Sequence, residues 1–185
     1  VQTITYGAHE VTEAPTAPLD ELSLTPDGYA MVVCRPIPEN SVLEIVEAWS
    51  RTRRGMPLVV VGPYGDEDPY HLQVKAAASD EVIFPGSIFE PERLQALRFH
   101  SALYLHGHTV GGTNPSLVEA MAAGSAVVAH ENPYNTWVAG PESVYFRGSD
   151  DLAKLLDKLL TDPERRRAMG EAVRGPFRAG FTVQK

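Results

Sequence analysis

The stretch from His106 to Ala129, HGHTVGGTNPSLVEAMAAGSAVVA, decides the fold of this chain. Its residue types predict the end of a strand, a glycine loop, a helix, a tight turn and a buried strand in succession. Because a glycine pair precedes the helix, backbone N–H groups at the helix start are left uncovered. Those groups and the positive end of the helix dipole suit an anion such as a diphosphate. The residues proposed for this role are Gly111, Gly112, Thr113 and Asn114.

Glu119 lies five residues after Asn114 and therefore projects from the body of the predicted helix. An acidic side chain beside a phosphate cradle is suited to hold sugar hydroxyls, whereas a plain surface helix would present the same residue to solvent. The pair Gly111-Gly112 is also compatible with an ordinary turn, since a single glycine pair is weak evidence for a ligand site. On spacing alone, both interpretations remain open.

Composition limits the classes of protein to consider. A chain of 185 residues is long enough for one domain with a full hydrophobic core. Its formal net charge of −8 argues against nucleic acid or an anionic membrane as the main partner, but a small anionic ligand senses only local charge. The single cysteine, Cys34, excludes an internal disulfide, fits a cytosolic setting and is expected in the core. The sequence has no run of about 18 apolar residues, so no transmembrane helix is expected.

Apolar runs typical of strands alternate with helical patterns along most of the chain. Strands are expected at 29–34, 58–61, 82–84, 102–105, 126–129 and 144–146. This alternation, with short loops, predicts an α/β fold: a Rossmann-like parallel sheet with helices on both faces. Residues 8–27 are rich in threonine, proline and acidic side chains, which indicates a linker outside the core.

Several candidate ligand-binding residues follow predicted strands directly. They are Arg35, Gly62, Ile88, His106 and the loop 111–114. Ligands of open parallel sheets bind beyond the carboxyl ends of the strands. The sequence therefore predicts one shared site at that edge.

The segment from Asn114 to Ala129 resembles the donor-site signature of GT-B glycosyltransferases, in which a helix reads Leu-Glu-Ala-Met-Ala-x-Gly. Here the matching run is VEAMAAG, from Val118 to Gly124. The longer run from His106 to Leu117 is similar to that of a subgroup of bacterial rhamnosyltransferases. The resemblance implies the C-terminal, nucleotide-sugar donor-binding half of a GT-B fold of the group 1 type.

The same resemblance implies roles for individual residues. Glu119 matches the family glutamate that binds the ribose hydroxyls, and Arg35 matches an arginine that neutralises the donor diphosphate. Asn40 stands where relatives carry a lysine, so it can donate a hydrogen bond but adds no charge. Ile88 takes the place of the nucleobase contact. The family's first motif glutamate falls on Gly111, so the usual carboxylate contact to the donor sugar is missing.

His106 and His108 are expected on the same side of the strand end, because positions i and i+2 of a strand share a face. Both imidazoles could then contact the diphosphate or the sugar, stabilise the loop, or bind a metal ion. A zinc site needs further ligands, and none follows at motif spacing, so no metal is expected. Asn132 lies where relatives border the donor sugar, but Asn132-Pro133 is equally typical of a plain turn.

Both ends of the sequence resemble parts of a larger enzyme. Residues 4–9 are similar to the phrase that closes the N-terminal domain of GT-B enzymes, and residues 181–185 resemble the approach to a last helix that crosses back to it. The resemblance implies that residues 1–27 are the end of an N-terminal domain and a linker, and that residues 28–185 are the donor-binding domain. Such a fragment would lack turnover by itself. A self-contained mature protein is the alternative.

The predicted function is donor binding in a glycosyltransferase that moves a sugar, rhamnose by the subgroup resemblance, from a dTDP- or UDP-sugar. The acceptor would be a glycan or a lipid-linked glycan, bound through the N-terminal domain. No cofactor beyond the donor is expected. The resemblance implies a bacterial, cytoplasmic enzyme, with peripheral association at the inner face of the membrane as one option. A nucleotide-sugar epimerase of the same architecture and a non-catalytic GT-B-like scaffold remain alternatives.

Overall fold

The computed structural model describes residues 6–183, which contain six strands and the helices packed on them. The strands are β1 Ala30–Val33, β2 Leu58–Val61, β3 Val82–Gly86, β4 Leu103–His106, β5 Val127–His130 and β6 Val144–Phe146. The helices are α1 Ala17–Asp20, a 3₁₀ helix Pro38–Asn40, α2 Val42–Ser50, α3 Pro69–Ala76, α4 Pro91–Phe99, α5 Pro115–Ala122, α6 Pro133–Ala139, α7 Ser149–Leu159 and α8 Pro163–Gly180. Within residues 6–183, no helix is long and apolar enough to cross a membrane.

The six strands form one parallel sheet in the order β3-β2-β1-β4-β5-β6. The chain builds outward from β1 to β3, returns to the centre, and continues outward on the other side from β4 to β6. The direction of winding therefore reverses between β1 and β4, and these two strands lead to helices on opposite faces of the sheet, β1 to α2 and β4 to α5. All six predicted strands are present, so the predicted Rossmann-like parallel sheet is confirmed.

Alternate side chains of each strand enter one of two hydrophobic clusters, one on each face of the sheet. Met31 of β1 packs in the cluster that contains Leu117 of α5. Its neighbour Val32 packs in the cluster that contains Trp49 of α2 and Leu156 of α7. Both faces of the sheet are thus covered by helices, which explains why the strands read as continuous apolar runs.

Residues 8–27 lie closer to the core than the sequence analysis expects. Val11, Leu19 and Leu24 are buried, and α1 packs against α4. The three apolar residues are widely spaced among exposed polar ones, so they form no helical or strand pattern. Composition therefore indicates a linker, although the segment contributes to the first cluster.

The expected turn at Asn132-Pro133 is instead the start of α6. The Asn132 Oδ1 accepts hydrogen bonds from the backbone N–H groups of Tyr134 and Asn135 at 3.1 and 2.9 Å, and Pro133 occupies the first helical turn. An asparagine or aspartate cap followed by proline is a favoured helix start. The same arrangement begins α3, α5 and α8, at Asp68, Asn114 and Asp162.

The loop after β4 passes directly over the 3₁₀ helix that follows β1. A Cβ atom at Gly107 would lie 2.1 Å from the backbone oxygen of Asn40, a distance that no side chain tolerates. Two residues later, the Thr109 N–H donates to the Glu39 carbonyl at 2.8 Å. The two loops at the winding reversal are therefore packed backbone against backbone.

We expect Gly107→Ala to lower the free energy of unfolding by about 1–3 kcal/mol, because the new methyl group forces the two loops apart. Urea denaturation followed by circular dichroism measures this loss. The matched control is Gly180→Ala at the last residue of α8, where an added Cβ meets nothing within 4 Å. That substitution should raise stability by about 0.4–1 kcal/mol. Equal effects of the two substitutions would contradict the close approach at Gly107.

Candidate functional site

A cleft of about 450 Å³ opens at the carboxyl ends of the strands, where the winding direction reverses. Seven of the predicted site residues line it: Arg35, Asn40, Ile88, His106, His108, Asn114 and Glu119. Gly111, Gly112 and Thr113 belong to the loop between His108 and Asn114, and both glycines are exposed. The structure thus brings together residues that lie up to 84 positions apart in the sequence, between Arg35 and Glu119.

The N-terminus of α5 lies in the wall of this cleft. Asn114 caps the helix, since its Oδ1 accepts the Ser116 N–H at 3.0 Å, and Asn114, Pro115 and Ser116 all line the cleft. Gly112 has a φ of +87°, a conformation that strongly favours glycine, so the preceding loop depends on that residue. The partial positive charge of the helix start therefore faces the cleft.

Two strands hold the start of α5 in place through the Ser116 hydroxyl. That hydroxyl donates to the Val33 carbonyl of β1 at 3.1 Å and accepts a hydrogen bond from the Tyr104 hydroxyl of β4. Tyr104 is fully buried. The helix N-terminus is consequently positioned by the two strands that flank the winding reversal.

Glu119 is ion-paired rather than freely solvated. Its Oε2 lies 2.7 Å from a guanidinium nitrogen of Arg98, and its Oε1 accepts the Tyr6 hydroxyl at 2.9 Å. The Arg98 side chain is 5% exposed and the Glu119 side chain is 33% exposed. Sequence reasoning missed Arg98 and Tyr6, because neither belongs to a motif and both reach Glu119 only through tertiary packing.

The segment after β3 supplies the other side of the cleft. Ile88 is 8% exposed and packs within the first hydrophobic cluster, so little of its surface reaches the cleft. The next residue, Phe89, is 86% exposed and lines the same cleft. The sequence analysis predicts Ile88 as the nucleobase contact and does not consider Phe89, whose apolar side chain is more accessible in the cleft.

The His106 ring is buried at the end of β4, with 4% of the residue exposed. Its Nε2 has no hydrogen-bond partner in the described part of the chain. Burial, and to a lesser extent the neighbouring His108, lowers the pKa of His106 to about 3, so the ring is neutral near pH 7. No three His, Cys, Asp or Glu side chains among residues 6–183 are grouped so as to hold a metal ion.

His108 is held by a short chain of hydrogen bonds. The Asn40 Nδ2 donates to the Arg35 carbonyl at 2.8 Å, and the Asn40 Oδ1 lies 2.8 Å from Nδ1 of His108. Since an amide oxygen can only accept, Nδ1 carries the proton of the neutral ring. Burial lowers the pKa of His108, as does the charge of Arg35, while the Val110 carbonyl and Glu39 act in the opposite direction.

Two asparagines at the start of α6 hold the backbone of the same loop. Nδ2 of Asn132 and Nδ2 of Asn135 donate to the His108 carbonyl at 3.0 and 2.9 Å. Both amides also donate to the His130 carbonyl, at 3.3 and 2.8 Å. Asn132 thus contacts the loop backbone, and Asn135, which sequence reasoning passed over, is its buried partner.

A family model matches the sequence of this chain, and several solved structures share its fold. A family model described as Glycosyl transferases group 1 matches residues 23–175. Sucrose-phosphate synthase from Thermosynechococcus elongatus superimposes with a TM-score of 0.78 at 18% identity, covering 96% of this chain and 47% of that one. The C-terminal domain of a group 1 family glycosyl transferase (LpcC) from Francisella tularensis gives 0.76 at 18% identity, covering 95% and 96% of the two chains.

A third structure, Anabaena Alr3699/HepE in complex with UDP, gives a TM-score of 0.73 at 18% identity, with 90% of this chain and 48% of that chain covered. At such identities the likeness shows the fold, and it confirms the expected C-terminal half of a GT-B architecture. The chain spans about half the length of sucrose-phosphate synthase. No curated protein matches the chain in sequence.

Glu119→Ala should lower the free energy of unfolding by about 1–3 kcal/mol, because it leaves the buried Arg98 charge without its partner. Urea denaturation of the single variants Glu119→Ala and Arg98→Met and of the double variant measures the coupling. The double variant should lose less than the sum of the two single losses. Strictly additive losses would show that the ion pair contributes no stability.

The low pKa of His106 predicts an acid-dependent loss of stability. The unfolded chain binds the proton below about pH 6.5, whereas the folded ring stays neutral down to about pH 3. The contribution of the neutral His106 ring to the free energy of unfolding is therefore complete above pH 6.5. It falls by roughly 1.4 kcal/mol for each pH unit as the pH is lowered toward 3.

Denaturation across this pH range, compared between the wild type and His106→Phe, measures that slope. The variant should show a shallower decline, while His9→Phe, at an exposed position, is the control for the loss of one histidine. Parallel profiles for the wild type and His106→Phe would contradict a buried, neutral His106.

Proposed function

The chain belongs to the Glycosyl transferases group 1 family, and from that premise we propose that its cleft binds the nucleoside diphosphate of a nucleotide-sugar donor. The observation that carries the proposal is the meeting of Arg35, the start of α5 and Glu119 in one cleft at the winding reversal. These groups supply a cation, backbone donors and a carboxylate within a single cavity. A nucleoside diphosphate needs that combination, with donors for its phosphates and acceptors for its ribose.

The diphosphate would lie against the N-terminus of α5. Uncovered amides of the loop 111–114 and the helix dipole stabilise negative charge there. Arg35 is exposed at the end of β1 and forms no ion pair with residues 6–183, so its guanidinium is available to the phosphates. One amide hydrogen of Asn40 is engaged with the Arg35 carbonyl, so Asn40 acts mainly by positioning.

These donors also suit the chemistry of glycosyl transfer. Negative charge grows on the diphosphate as the bond to the sugar breaks, and preorganised amides and a guanidinium stabilise that charge without reorganisation. The Ser116 contacts to β1 and β4 fix the donors before the ligand arrives. The catalytic contribution of this chain is therefore stabilisation of the leaving group.

The nucleoside would occupy the side of the cleft formed by α4, α5 and the segment after β3. Glu119 accepts hydrogen bonds from the ribose hydroxyls, since each carboxylate oxygen keeps a free lone pair beside its contact to Arg98 or Tyr6. Ile88 and the exposed Phe89 provide the apolar surface for the base.

The donor sugar is proposed from the sequence resemblance, which favours dTDP-rhamnose and next a UDP-sugar. The structures of Anabaena Alr3699/HepE with UDP and with UDP-glucose support the second choice. In the full enzyme, residues 1–27 would connect an acceptor-binding N-terminal domain to the donor domain formed by residues 28–185. The acceptor would be a glycan or lipid-linked glycan, and transfer would occur in the cytoplasm of a bacterium, at the inner face of the membrane if the enzyme associates with it.

Calorimetric titration of this chain with dTDP, UDP, GDP and ADP tests the proposal. We expect one nucleotide to bind selectively, and Arg35→Ala to weaken its binding by about tenfold or more, because a charge-assisted hydrogen bond contributes about 1.5–3 kcal/mol. Titration with and without magnesium shows whether the protein's own donors suffice.

The matched control is Arg165→Ala, which removes an exposed arginine from α8 at a position outside the cleft. It should leave the nucleotide affinity unchanged, which separates a local contact from a change in net charge. Absence of binding by all four nucleotides, or equal losses in the two variants, would contradict the proposed site.

A further inference from the structure

We propose that a second cavity, beside the exposed face of α6, binds a sugar ring of the acceptor glycan against the side chain of Trp137. The inference rests on the proposed function in taking the acceptor to be a glycan, but its test requires no nucleotide. The cavity has a volume of about 630 Å³, which suits a small ligand. None of its lining residues lines the donor cleft. They are Glu131, Asn132, Pro133, Thr136, Trp137 and Arg147.

Trp137 gives this cavity a fixed and accessible aromatic surface. The residue is 61% exposed, although tryptophan is highly buried on average. Its ring meets the buried ring of Phe181 edge-on, with the two centroids 5.8 Å apart and the planes at 85°. This contact holds the indole in one place while most of its surface stays open to a ligand.

The other wall of the cavity is a planar ion pair. Glu131 and Arg147 directly follow the paired strands β5 and β6, and two guanidinium nitrogens of Arg147 donate to the two Glu131 oxygens at 2.5 and 2.7 Å. These hydrogen bonds lower the pKa of Glu131, so the carboxylate remains ionised. The other guanidinium N–H groups form no hydrogen bond within residues 6–183. They and the remaining carboxylate lone pairs are therefore available to a ligand.

A sugar ring matches this combination of walls. One face of a pyranose carries C–H groups, which pack on the electron-rich face of an indole, and its hydroxyls both donate and accept hydrogen bonds. The charges of Glu131 and Arg147 cancel, so the cavity favours a neutral polar ligand over an ion. A protein partner is favoured less, since Trp137 and Pro133 are the only apolar residues of the lining and a docking patch is a larger apolar surface.

The cavity and the donor cleft lie side by side. Asn132 lines the cavity, and its Nδ2 donates to the carbonyl of His108, which lines the cleft. Tyr134 is 49% exposed and lies on the same side of α6 as Trp137, three positions later. A Cβ atom at Gly111 would lie 3.6 Å from the Tyr134 ring. The exposed aromatic side of α6 thus runs from the glycine loop to the cavity, and a glycan whose reacting end enters the cleft would extend along it to Trp137.

Nuclear magnetic resonance tests the proposal with an internal control, because the chain contains two tryptophans and Trp49 is fully buried. The indole N–H signals of Trp49 and Trp137 are followed during titration with the methyl glycosides of glucose, mannose and rhamnose. Sorbitol, a linear polyol without a ring face, is the control ligand. The variants are Trp137→Ala, Trp137→Tyr and Arg147→Met, and their binding is followed on the backbone amide signals of α6. Leu72→Ala, at an exposed apolar position of α3 outside the cavity, is the control variant.

We expect at least one glycoside to shift the Trp137 signal while the Trp49 signal stays in place, and sorbitol to shift neither. Trp137→Ala should weaken binding of that glycoside by roughly tenfold or more, and Trp137→Tyr should keep most of the affinity. Arg147→Met should weaken it by roughly three- to tenfold, because hydrogen bonds to the hydroxyls are lost. Leu72→Ala should bind as the wild type does, and thermal unfolding verifies that each variant is folded.

Three results would overturn the inference. They are the absence of any Trp137 shift with all three glycosides, unchanged binding in Trp137→Ala, and a Trp137 signal that moves with protein concentration instead of sugar. The last result would assign this surface to a second copy of the chain. The proposed function is judged separately, since Trp137→Ala should bind nucleotides within about twofold of the wild type. If glycosides bind and nucleotides do not, the donor site fails and the saccharide subsite stands.

Discussion

The backbone contact between the loops that follow β1 and β4 is the constraint on which the rest of the structure depends. The sheet reverses its winding between these strands, so the two loops would otherwise separate. At Gly107 the backbone of one loop touches that of the other, and Asn40 extends the contact to His108. This contact therefore joins the loops that carry Arg35 and His108, and both residues line the cleft. Any side chain larger than hydrogen at Gly107 would collide with the Asn40 carbonyl and separate the two loops.

The fold is predictable from the sequence because its signals are local. The four inner strands, β1, β2, β4 and β5, are continuous apolar runs that the structure buries almost completely, and such runs identify strands covered on both faces. The edge strands β3 and β6 are only partly buried, but they are also short apolar runs. The position of the site is predictable for a related reason, since residues after parallel strands must share an edge. Helix α6 is not predicted from hydrophobic periodicity, because Tyr134 and Trp137 are apolar residues on its exposed side and the helix therefore shows no single apolar face in the sequence. The asparagine cap followed by proline at Asn132-Pro133 is the local signal from which the start of α6 can be predicted.

The interactions within the site are not predictable in the same way, because they join distant segments through packing. Arg98 reaches Glu119 only because α4 lies against α5, and Tyr6 reaches the same carboxylate from 113 residues away. The state of the His108 ring depends on Asn40, 68 residues earlier. No spacing rule within the sequence encodes these partners. They nevertheless decide which polar atoms of the cleft remain available to a ligand.

The central claim is that the start of α5 and Arg35 hold a diphosphate at the winding reversal. A crystal structure of this chain with UDP or dTDP tests it most directly. The account predicts the diphosphate between the Arg35 guanidinium and the amides of the loop 111–114, with the ribose beside Glu119. A nucleotide bound elsewhere would contradict it. An example is the cavity beside Arg166 and Gly124, which lies at the amino ends of the strands.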